Sequence, residues 1–218
     1  MPSRLVVSNH TGGRLLAFKS ERKREHYYRL AKKIGYRSRA AFKLIQLNER
    51  YNILRRGDVV VDLGAAPGGW LQVAAEKIGE EGFVLGVDLQ PIKPLKFPNV
   101  RTIVADILDS TTPERILKEI PRKADVVLSD ASPRITGVWS VDHARSAELV
   151  LSVLKICQKI LSPGGRALVK VFQGEQFPEI LKEFRKNFDF VKVSKPIASR
   201  KQSAESYIIG KGFRAEIE

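Results

Sequence analysis

The sequence predicts an α/β protein in which a mainly parallel β-sheet carries helices on both faces. Val59–Leu63 is rich in β-branched residues, as expected of a strand buried on both faces, and it leads into a glycine-rich turn and a helical pattern ending at Ile78. Strand-like and helical runs then alternate, which is typical of parallel strands joined by helical crossovers. The last two strands are separated only by Pro196–Glu205, too short for a helical crossover, so the last strand should be antiparallel.

Seven strands and six helices are predicted along the chain. The strands are Val59–Leu63, Phe83–Asp88, Arg101–Ala105, Asp125–Ser129, Ala167–Phe172, Phe190–Lys195 and Ser206–Ile209. The helices are Phe18–Ile34, Ser38–Arg50, Leu71–Ile78, Pro113–Ile120, Asp142–Leu161 and Phe177–Asn187, with Asp142 as an N-cap. Seven strands that end in an antiparallel pair are the Rossmann-like architecture of S-adenosylmethionine-dependent methyltransferases.

The turn after the first strand predicts a nucleotide ligand at the carboxyl end of that strand. It lacks G-x-G-x-x-G. Gly64 and Gly69 have the spacing of a P-loop, but Trp70-Leu71 follow in place of Lys and Ser/Thr. Asp88 ends the second strand, 20 residues after Gly68, where a carboxylate suits the two hydroxyls of a ribose. An adenosine ligand without a pyrophosphate, S-adenosylmethionine, fits best; the alternative is a tight turn that binds nothing.

Charge is concentrated near the amino terminus. The chain has 218 residues, enough for one α/β domain, and a net charge of +14. Residues 1–50 contain 13 Lys/Arg and 3 Glu, so this quarter of the chain carries most of the excess. A polyanion partner is the interpretation we favour over a solvated basic tail. The absence of a long apolar run or a signal segment predicts a cytoplasmic protein without a membrane partner, and three scattered histidines predict no metal site.

Several polar residues are predicted at the carboxyl ends of strands, where an open α/β sheet forms its ligand-binding crevice. Asp106 and Asp130 follow the third and fourth strands. Lys170 lies inside an apolar run near the end of the fifth strand, which is costly unless the lysine is paired, functional or able to reach water. Glu205 opens the last strand and could pair with it.

Taken together, the motifs resemble the FtsJ/RrmJ family of RNA 2′-O-ribose methyltransferases, which use S-adenosylmethionine. The resemblance extends from about His26 to Phe213. The motifs that carry it are Arg37–Leu44, Asp62–Trp70, Ser129–Pro133, Pro163–Gly165 and Val169–Gly174.

This resemblance implies roles for individual residues. The family's catalytic Lys-Asp-Lys-Glu tetrad would be Lys43, Asp130, Lys170 and Glu205. Because a ribose hydroxyl needs a base, our hypothesis from the chemistry is that Lys170 is the general base and Lys43 stabilises the alkoxide; the reverse division between the two lysines stays open. The cofactor-binding residues would be Gly64, Gly68, Trp70, Asp88, Asp106 and Asp130. Among them, Asp88 would hold the ribose hydroxyls, Asp106 would face the adenine edge, and Trp70 would contact the methionine end.

The resemblance also implies an RNA substrate, with a uridine of large-subunit ribosomal RNA as the expected target, and ribosomal RNA or the large subunit as partner. Residues 1–34 are then a basic, partly helical RNA-binding extension, and residues 35–218 the methyltransferase domain. The cations expected to contact phosphates are Arg22, Lys23, Arg24, Arg29, Lys32, Lys33, Arg37 and Arg39. Transfer RNA as substrate and a non-catalytic role in ribosome assembly stay open as alternatives. We expect a monomer without an obligate protein partner.

Overall fold

A computed structural model describes residues 25–199 and 204–215. Its described helices are α1 (25–34), α2 (Ala41–Tyr51), α3 (Gly69–Ile78), α4 (Thr112–Glu119), α5 (Trp139–Ile160) and α6 (Phe177–Asn187). Its described strands are β1 (Val59–Leu63), β2 (Phe83–Asp88), β3 (Val100–Val104), β4 (Ala124–Ser129), β5 (Leu161–Phe172), β6 (Phe188–Ser194) and β7 (Glu205–Phe213). They form a sheet in the order β3-β2-β1-β4-β5-β7-β6.

The sheet confirms the predicted fold class. β3, β2, β1, β4 and β5 pair in parallel, and β7 is antiparallel to both of its neighbours, β5 and β6. β7 lies between the two strands that precede it, so the sheet is parallel except where the last strand enters. The register places Lys170 opposite Tyr207 and Phe172 opposite Glu205.

The two faces of the sheet are covered by different helices, as predicted. All five residues of β1 are buried, which is what a β-branched strand at the centre of a doubly covered sheet requires. One apolar cluster joins Val61 to α4, α5 and α6, and the other joins Val60 to α2 and α3. None of the helices within the described ranges is long and apolar enough to cross a membrane.

Two of the boundaries that differ from the prediction do so for clear physical reasons. β5 begins at Leu161, because the Pro163-Gly164-Gly165 segment, which resembles a turn, stays beside β4 through a register shift between Ala124 and Val126. β7 continues to Phe213 through Gly210 and Gly212, which interrupt the apolar alternation of its sequence. The first helix was predicted from Phe18, and the segment before residue 25 lies outside the described residues.

Asp142 is not the N-cap that its position suggested. α5 begins three residues earlier, at Trp139, and Asp142 lies in its first turn. The Asp142 carboxylate reaches back and accepts hydrogen bonds from the backbone N–H and hydroxyl of Thr136 (both 2.8 Å) and from the N–H of Gly137 (3.1 Å). Asp142 therefore fixes the loop that leads into α5. Like an N-cap side chain, it accepts backbone N–H groups near the start of the helix, but it does so from within the first turn.

Candidate active site

The glycine-rich turn is held against the ends of β2 and β4. Gly64 adopts a left-handed conformation (φ +79°), and a Cβ at this position would lie 2.6 Å from the Cβ of Ala131. The backbone N–H groups of Gly64 and Ala65 donate to the carbonyl of Val87 (2.8 and 3.2 Å). Only glycine permits both the backbone angle and this close approach.

Asp88 anchors the other side of the turn. One of its carboxylate oxygens accepts the N–H of Ala66, and the other accepts the N–H of Gln90, each at 2.9 Å. Each carboxylate oxygen has a further lone pair. The half-buried Asp88 can therefore still accept hydrogen bonds from a pair of ribose hydroxyls.

A cavity of about 750 Å³ opens at this edge of the sheet. The predicted cofactor residues that line it are Gly64, Asp88, Asp106 and Asp130. The apolar side chains of Leu89, Ile107 and Leu108 form part of its wall, and Leu89 and Leu108 are exposed there. A cavity with acidic groups on one side and apolar side chains on another suits a ligand that combines hydroxyl groups with a flat heterocycle.

The other two predicted cofactor residues lie outside the lining of this cavity. Gly68, also left-handed at φ +106°, packs beside the side chain of Arg37. Trp70 is only 3% exposed, and its indole N–H donates to the backbone carbonyl of Ala40 (2.8 Å). Their contacts with a cofactor stay predictions.

The four predicted catalytic side chains come from four different elements and meet at one point. Lys43 Nζ lies 3.3 Å from Asp130 Oδ1 and 3.8 Å from Glu205 Oε2. Lys170 Nζ lies 3.3 Å from Asp130 Oδ1 and donates to the backbone carbonyl of Asp130 at 2.6 Å. Both lysine residues are less than one-tenth exposed, which makes a charge on them costly. The two nearby carboxylates offset this cost.

Tyr207 is a member of this cluster that the sequence reasoning missed. Its hydroxyl donates to Asp130 Oδ1 at 2.6 Å, its ring lies under Lys43 Nζ (5.6 Å to the centroid), and the residue is fully buried. The signal was present in the sequence, because strand alternation puts residue 207 on the same face as Glu205.

The cluster favours the ionised form of Asp130. Burial raises the pKa of this carboxyl group, but the ammonium groups of Lys170 and Lys43 and the hydrogen bond from Tyr207 outweigh burial and leave the pKa below its usual value. Burial, followed by the negative charge of Asp130, raises the pKa of Tyr207 well above its usual value. Asp130 is therefore a fixed anion, and Tyr207 is a fixed hydrogen-bond donor.

Asp62 is a second buried group that the sequence reasoning missed. It is 1% exposed, and neither carboxylate oxygen has a hydrogen-bond partner among the described residues. Burial, with smaller contributions from Asp130 and Asp88, raises its pKa well above the usual value. An Asp inside a β-branched run is as costly as a Lys there, so the argument applied to Lys170 could also have singled out Asp62.

The predicted phosphate-binding cations have different surroundings. Arg22, Lys23 and Arg24 lie outside the described residues. On α1, Arg29 pairs with Glu25 (2.8 Å), Lys32 lies over the ring of Tyr28 (4.7 Å to the centroid), and Lys33 is exposed. The charge of Arg39 acts on Tyr207 and partly opposes the rise in its pKa, which places Arg39 near the tetrad.

Arg37 holds backbone segments together. Its guanidinium donates to the carbonyls of Pro67 (3.2 Å), Lys93 (2.5 Å) and Pro94 (2.5 Å), which ties the glycine-rich turn to the loop after β2. A contact between Arg37 and RNA phosphate stays a prediction, and it would have to use N–H groups outside these bonds. Within the described ranges, no three His, Cys, Asp or Glu side chains are grouped as metal ligands.

A seven-stranded sheet with an antiparallel last strand, a glycine turn facing Asp88, and a buried lysine–carboxylate cluster define a methyltransferase of the Rossmann-like class. The model of the FtsJ-like methyltransferase family matches residues 36–213. The chain belongs to this family.

Individual relatives support the assignment. The chain is 50% identical over 199 residues to the ribosomal RNA large subunit methyltransferase E of Methanothermobacter thermautotrophicus, covering 91% of this chain and 94% of the relative. It is 57% identical over 192 residues to the protein of the same name from Methanosarcina mazei, covering 88% and 70%. A Plasmodium falciparum crystal structure assigned as a ribosomal RNA methyltransferase has a TM-score of 0.74 and 30% identity, covering 83% of this chain and all of that chain.

Proposed function

We propose that this protein transfers a methyl group from S-adenosylmethionine to the 2′-oxygen of a ribose, that of a uridine, in large-subunit ribosomal RNA. The observation that carries the proposal is the tetrad: two buried lysines held at 3.3 Å from one aspartate beside the 750 Å³ cavity. The names of the M. thermautotrophicus and M. mazei relatives support ribosomal RNA as the substrate class.

The cavity fits the cofactor in three respects. The glycine turn presents backbone where a Cβ at Gly64 would collide with Ala131. Asp88 keeps accepting capacity for ribose hydroxyls, and Leu89 and Leu108 offer apolar surface to a purine ring. When bound, S-adenosylmethionine supplies a methyl group already activated by its sulfonium charge.

The chain then has to supply a base, alignment and charge stabilisation. A ribose hydroxyl is a poor nucleophile until its proton is removed. The hydrogen bond to the Asp130 carbonyl fixes the position of Lys170 Nζ. As a neutral amine, this nitrogen keeps an N–H for that carbonyl and has a lone pair for the 2′-hydroxyl proton.

Lys43 has the complementary role. Its ammonium is held between Asp130 (3.3 Å) and Glu205 (3.8 Å), where it can stabilise the negative charge that develops on the 2′-oxygen. Asp130 orients both lysines, and Tyr207 fixes the orientation of Asp130. Each group is positioned before substrate binds, which reduces the reorganisation needed during the reaction.

The test is methyl transfer from labelled S-adenosylmethionine to naked ribosomal RNA, unmodified ribosomal subunits and transfer RNA. Lys170→Met should lower the single-turnover rate by at least about 100-fold, because it removes the base, while cofactor binding by calorimetry stays unchanged. Lys211→Met on the same sheet, outside the tetrad, is the matched control and should keep full activity.

The labelling pattern separates the substrate classes, and the pH dependence of the rate tests the lysine base. The proposal is supported if wild type places the label on a ribose of ribosomal RNA, if the neighbouring phosphodiester bond resists alkaline hydrolysis, and if Lys170→Met places no label there. Label on transfer RNA alone would assign the chemistry to the other substrate. If the single-turnover rate did not change with pH through the neutral range, a lysine base would be excluded.

A further inference from the structure

A second cavity, of about 120 Å³, lies where α5 and α6 meet the end of β5. The first turns of α5 and α6 and the end of β5 form its walls. Phe172 lines it and is also the register partner of Glu205, two residues along β5 from Lys170. The cavity therefore lies at the same end of β5 as Lys170, and it shares no lining residue with the 750 Å³ cavity.

The wall of this cavity carries an aromatic surface that no part of the described chain covers. Trp139 is 66% exposed, and its ring centroid lies 3.9 Å from that of His143 at an interplanar angle of 37°. His143 in turn contacts Phe172, with centroids 5.8 Å apart. Ile135, Val138 and Val141 are exposed apolar neighbours. Exposed apolar and aromatic side chains gathered in one segment of the chain are a feature of binding surfaces.

The aromatic surface is fixed in position. Three hydrogen bonds to the Asp142 carboxylate hold the loop before α5 and therefore the base of Trp139. His143 packs against Gly174, where a Cβ would overlap the imidazole ring. A rigid aromatic surface loses little conformational entropy when it binds, which favours stacking on a flat ligand.

The surroundings favour a nucleobase as that ligand. The volume is of the same order as the cavity of about 150 Å³ that admits benzene, so it can take one ring. Ser140, Glu175 and Gln176 supply polar groups for the edges of a base. Arg134 in the loop before α5 and Arg145 within α5 line the larger cavity, so two cations lie within six residues of Trp139 along the chain.

We propose that Trp139, together with His143 and Phe172, stacks on an unpaired nucleobase of the RNA next to the ribose that is methylated. This inference rests on the proposed function. It adds a recognition subsite on α5, outside the cofactor cavity and the tetrad. Aromatic side chains stack on bases with little regard to sequence, so Trp139 contributes affinity and alignment more than selectivity.

Direct binding can be measured by fluorescence, because the chain has two tryptophans and the other, Trp70, is buried. A short oligouridylate should quench Trp139 emission, and an abasic phosphodiester of the same length should not. For the variants, which lack the Trp139 fluorophore, binding is measured by calorimetry: Trp139→Ala should weaken oligouridylate binding on the order of tenfold and leave abasic binding unchanged. Trp139→Phe should recover most of the affinity. Phe190→Ala, an exposed aromatic residue on β6, is the matched control and should bind like wild type.

Methyl transfer gives an independent readout. Trp139→Ala should raise KM for RNA about tenfold with kcat nearly unchanged and cofactor affinity unchanged. If Trp139→Ala lost oligouridylate and abasic binding equally, or if it stayed active with an unchanged KM for RNA, the inference would be overturned while the proposed function stands. If light scattering showed that Trp139→Ala has a different oligomeric state from wild type, the surface would bind a second copy of the chain and the inference would be overturned. Absence of methyl transfer by wild type, with quenching still observed, would instead contradict the proposed function.

Discussion

At the scale of single residues, Asp130 illustrates how the site holds charge in a buried place. Lys43, Lys170 and Tyr207 all contact its carboxylate, and together they outweigh the effect of burial on its pKa. In the proposed reaction Tyr207 acts through Asp130 and Lys43, which it contacts, so it is a positioning residue. Asp62 is the opposite case, a buried carboxyl group without such partners among the described residues.

This contrast predicts an unusual dependence of stability on pH. Burial and the nearby carboxylates raise the pKa of folded Asp62, so its contribution to stability is full below the ordinary pKa of aspartate and is lost as pH rises above it. Asp62→Asn removes this pH-dependent loss of stability, because an asparagine side chain does not ionise. The unfolding free energy of the variant minus that of wild type should therefore increase with pH, by at most about 1.4 kcal/mol per pH unit.

Urea unfolding at about pH 5 and about pH 7 measures this difference. Asp125→Asn is the control. Hydrogen bonds from Arg122 and Val59 outweigh the burial of Asp125 and lower its pKa, so its contribution changes only in more acidic solution. The Asp125→Asn difference should stay constant over this interval. A constant Asp62→Asn difference would show that folded Asp62 is ionised.

The site residues could be predicted from sequence to different extents. Lys43, Asp130, Lys170 and Glu205 stand in motifs at strand ends or in a helix, and the structure brings all four together. Tyr207 and Asp62 were missed, although strand alternation and the cost of a buried carboxyl group gave a signal for each. The groups that each side chain faces are seen only in the three-dimensional structure. Similarly, the partners of Arg37 are backbone carbonyls, which leave no trace in a sequence pattern.

At the scale of elements, the sequence located every strand and missed mainly the boundaries that tertiary pairing sets. β5 extends backwards across Gly164-Gly165, and α5 begins three residues before Asp142. Turn-forming residues predict a local break, but pairing with a neighbouring strand can override that preference. The beginning of α5 depends on side-chain hydrogen bonds to the preceding loop, which the sequence does not specify by itself.

The turn between β1 and α3 provides a prediction about close packing. Gly64→Ala should lower the unfolding free energy by about 2–4 kcal/mol and weaken cofactor binding, because the variant pays for the positive φ and for the collision with Ala131. Gly164→Ala is the matched control, since Gly164 has a similar φ of +77° and nothing within 4 Å of a Cβ. It should cost about 1–2 kcal/mol and leave cofactor affinity unchanged. Equal costs for the two variants, measured by urea unfolding, would show that the collision is relieved without penalty.

At the scale of the whole molecule, charge is distributed unevenly around the site. Most of the net charge of +14 comes from residues 1–50, whereas the cavity edge carries Asp88, Asp106 and Asp130. α1 packs through Ala31 against Phe42 of α2, the helix that also carries Lys43. The basic helix therefore packs against the element that carries Lys43, and under the proposed function its charge would lie near the bound RNA.

RNA affinity should fall steeply with salt. For single-stranded RNA, each phosphate contact contributes about −0.7 to the slope of log affinity against log salt concentration. Lys33→Gln on α1 should make that slope shallower by about 0.7, with cofactor affinity unchanged. Lys118→Gln on α4 is the control, because it leaves the α1 surface intact. An unchanged slope for Lys33→Gln, measured by titration with oligouridylate, would exclude a phosphate contact at this position.

The position of β7 between β5 and β6 affects the order in which a newly made chain acquires its properties. A ribosome releases the glycine turn, Asp88 and Asp106 early, then Lys170, and Glu205 with Tyr207 only when β7 emerges. Until then, the edge of β5 that β7 will cover is open, and the cluster lacks one of its two carboxylates. A nascent chain can thus present the predicted cofactor residues well before it has a complete tetrad, and insertion of β7 both joins β6 to the sheet and completes the cluster.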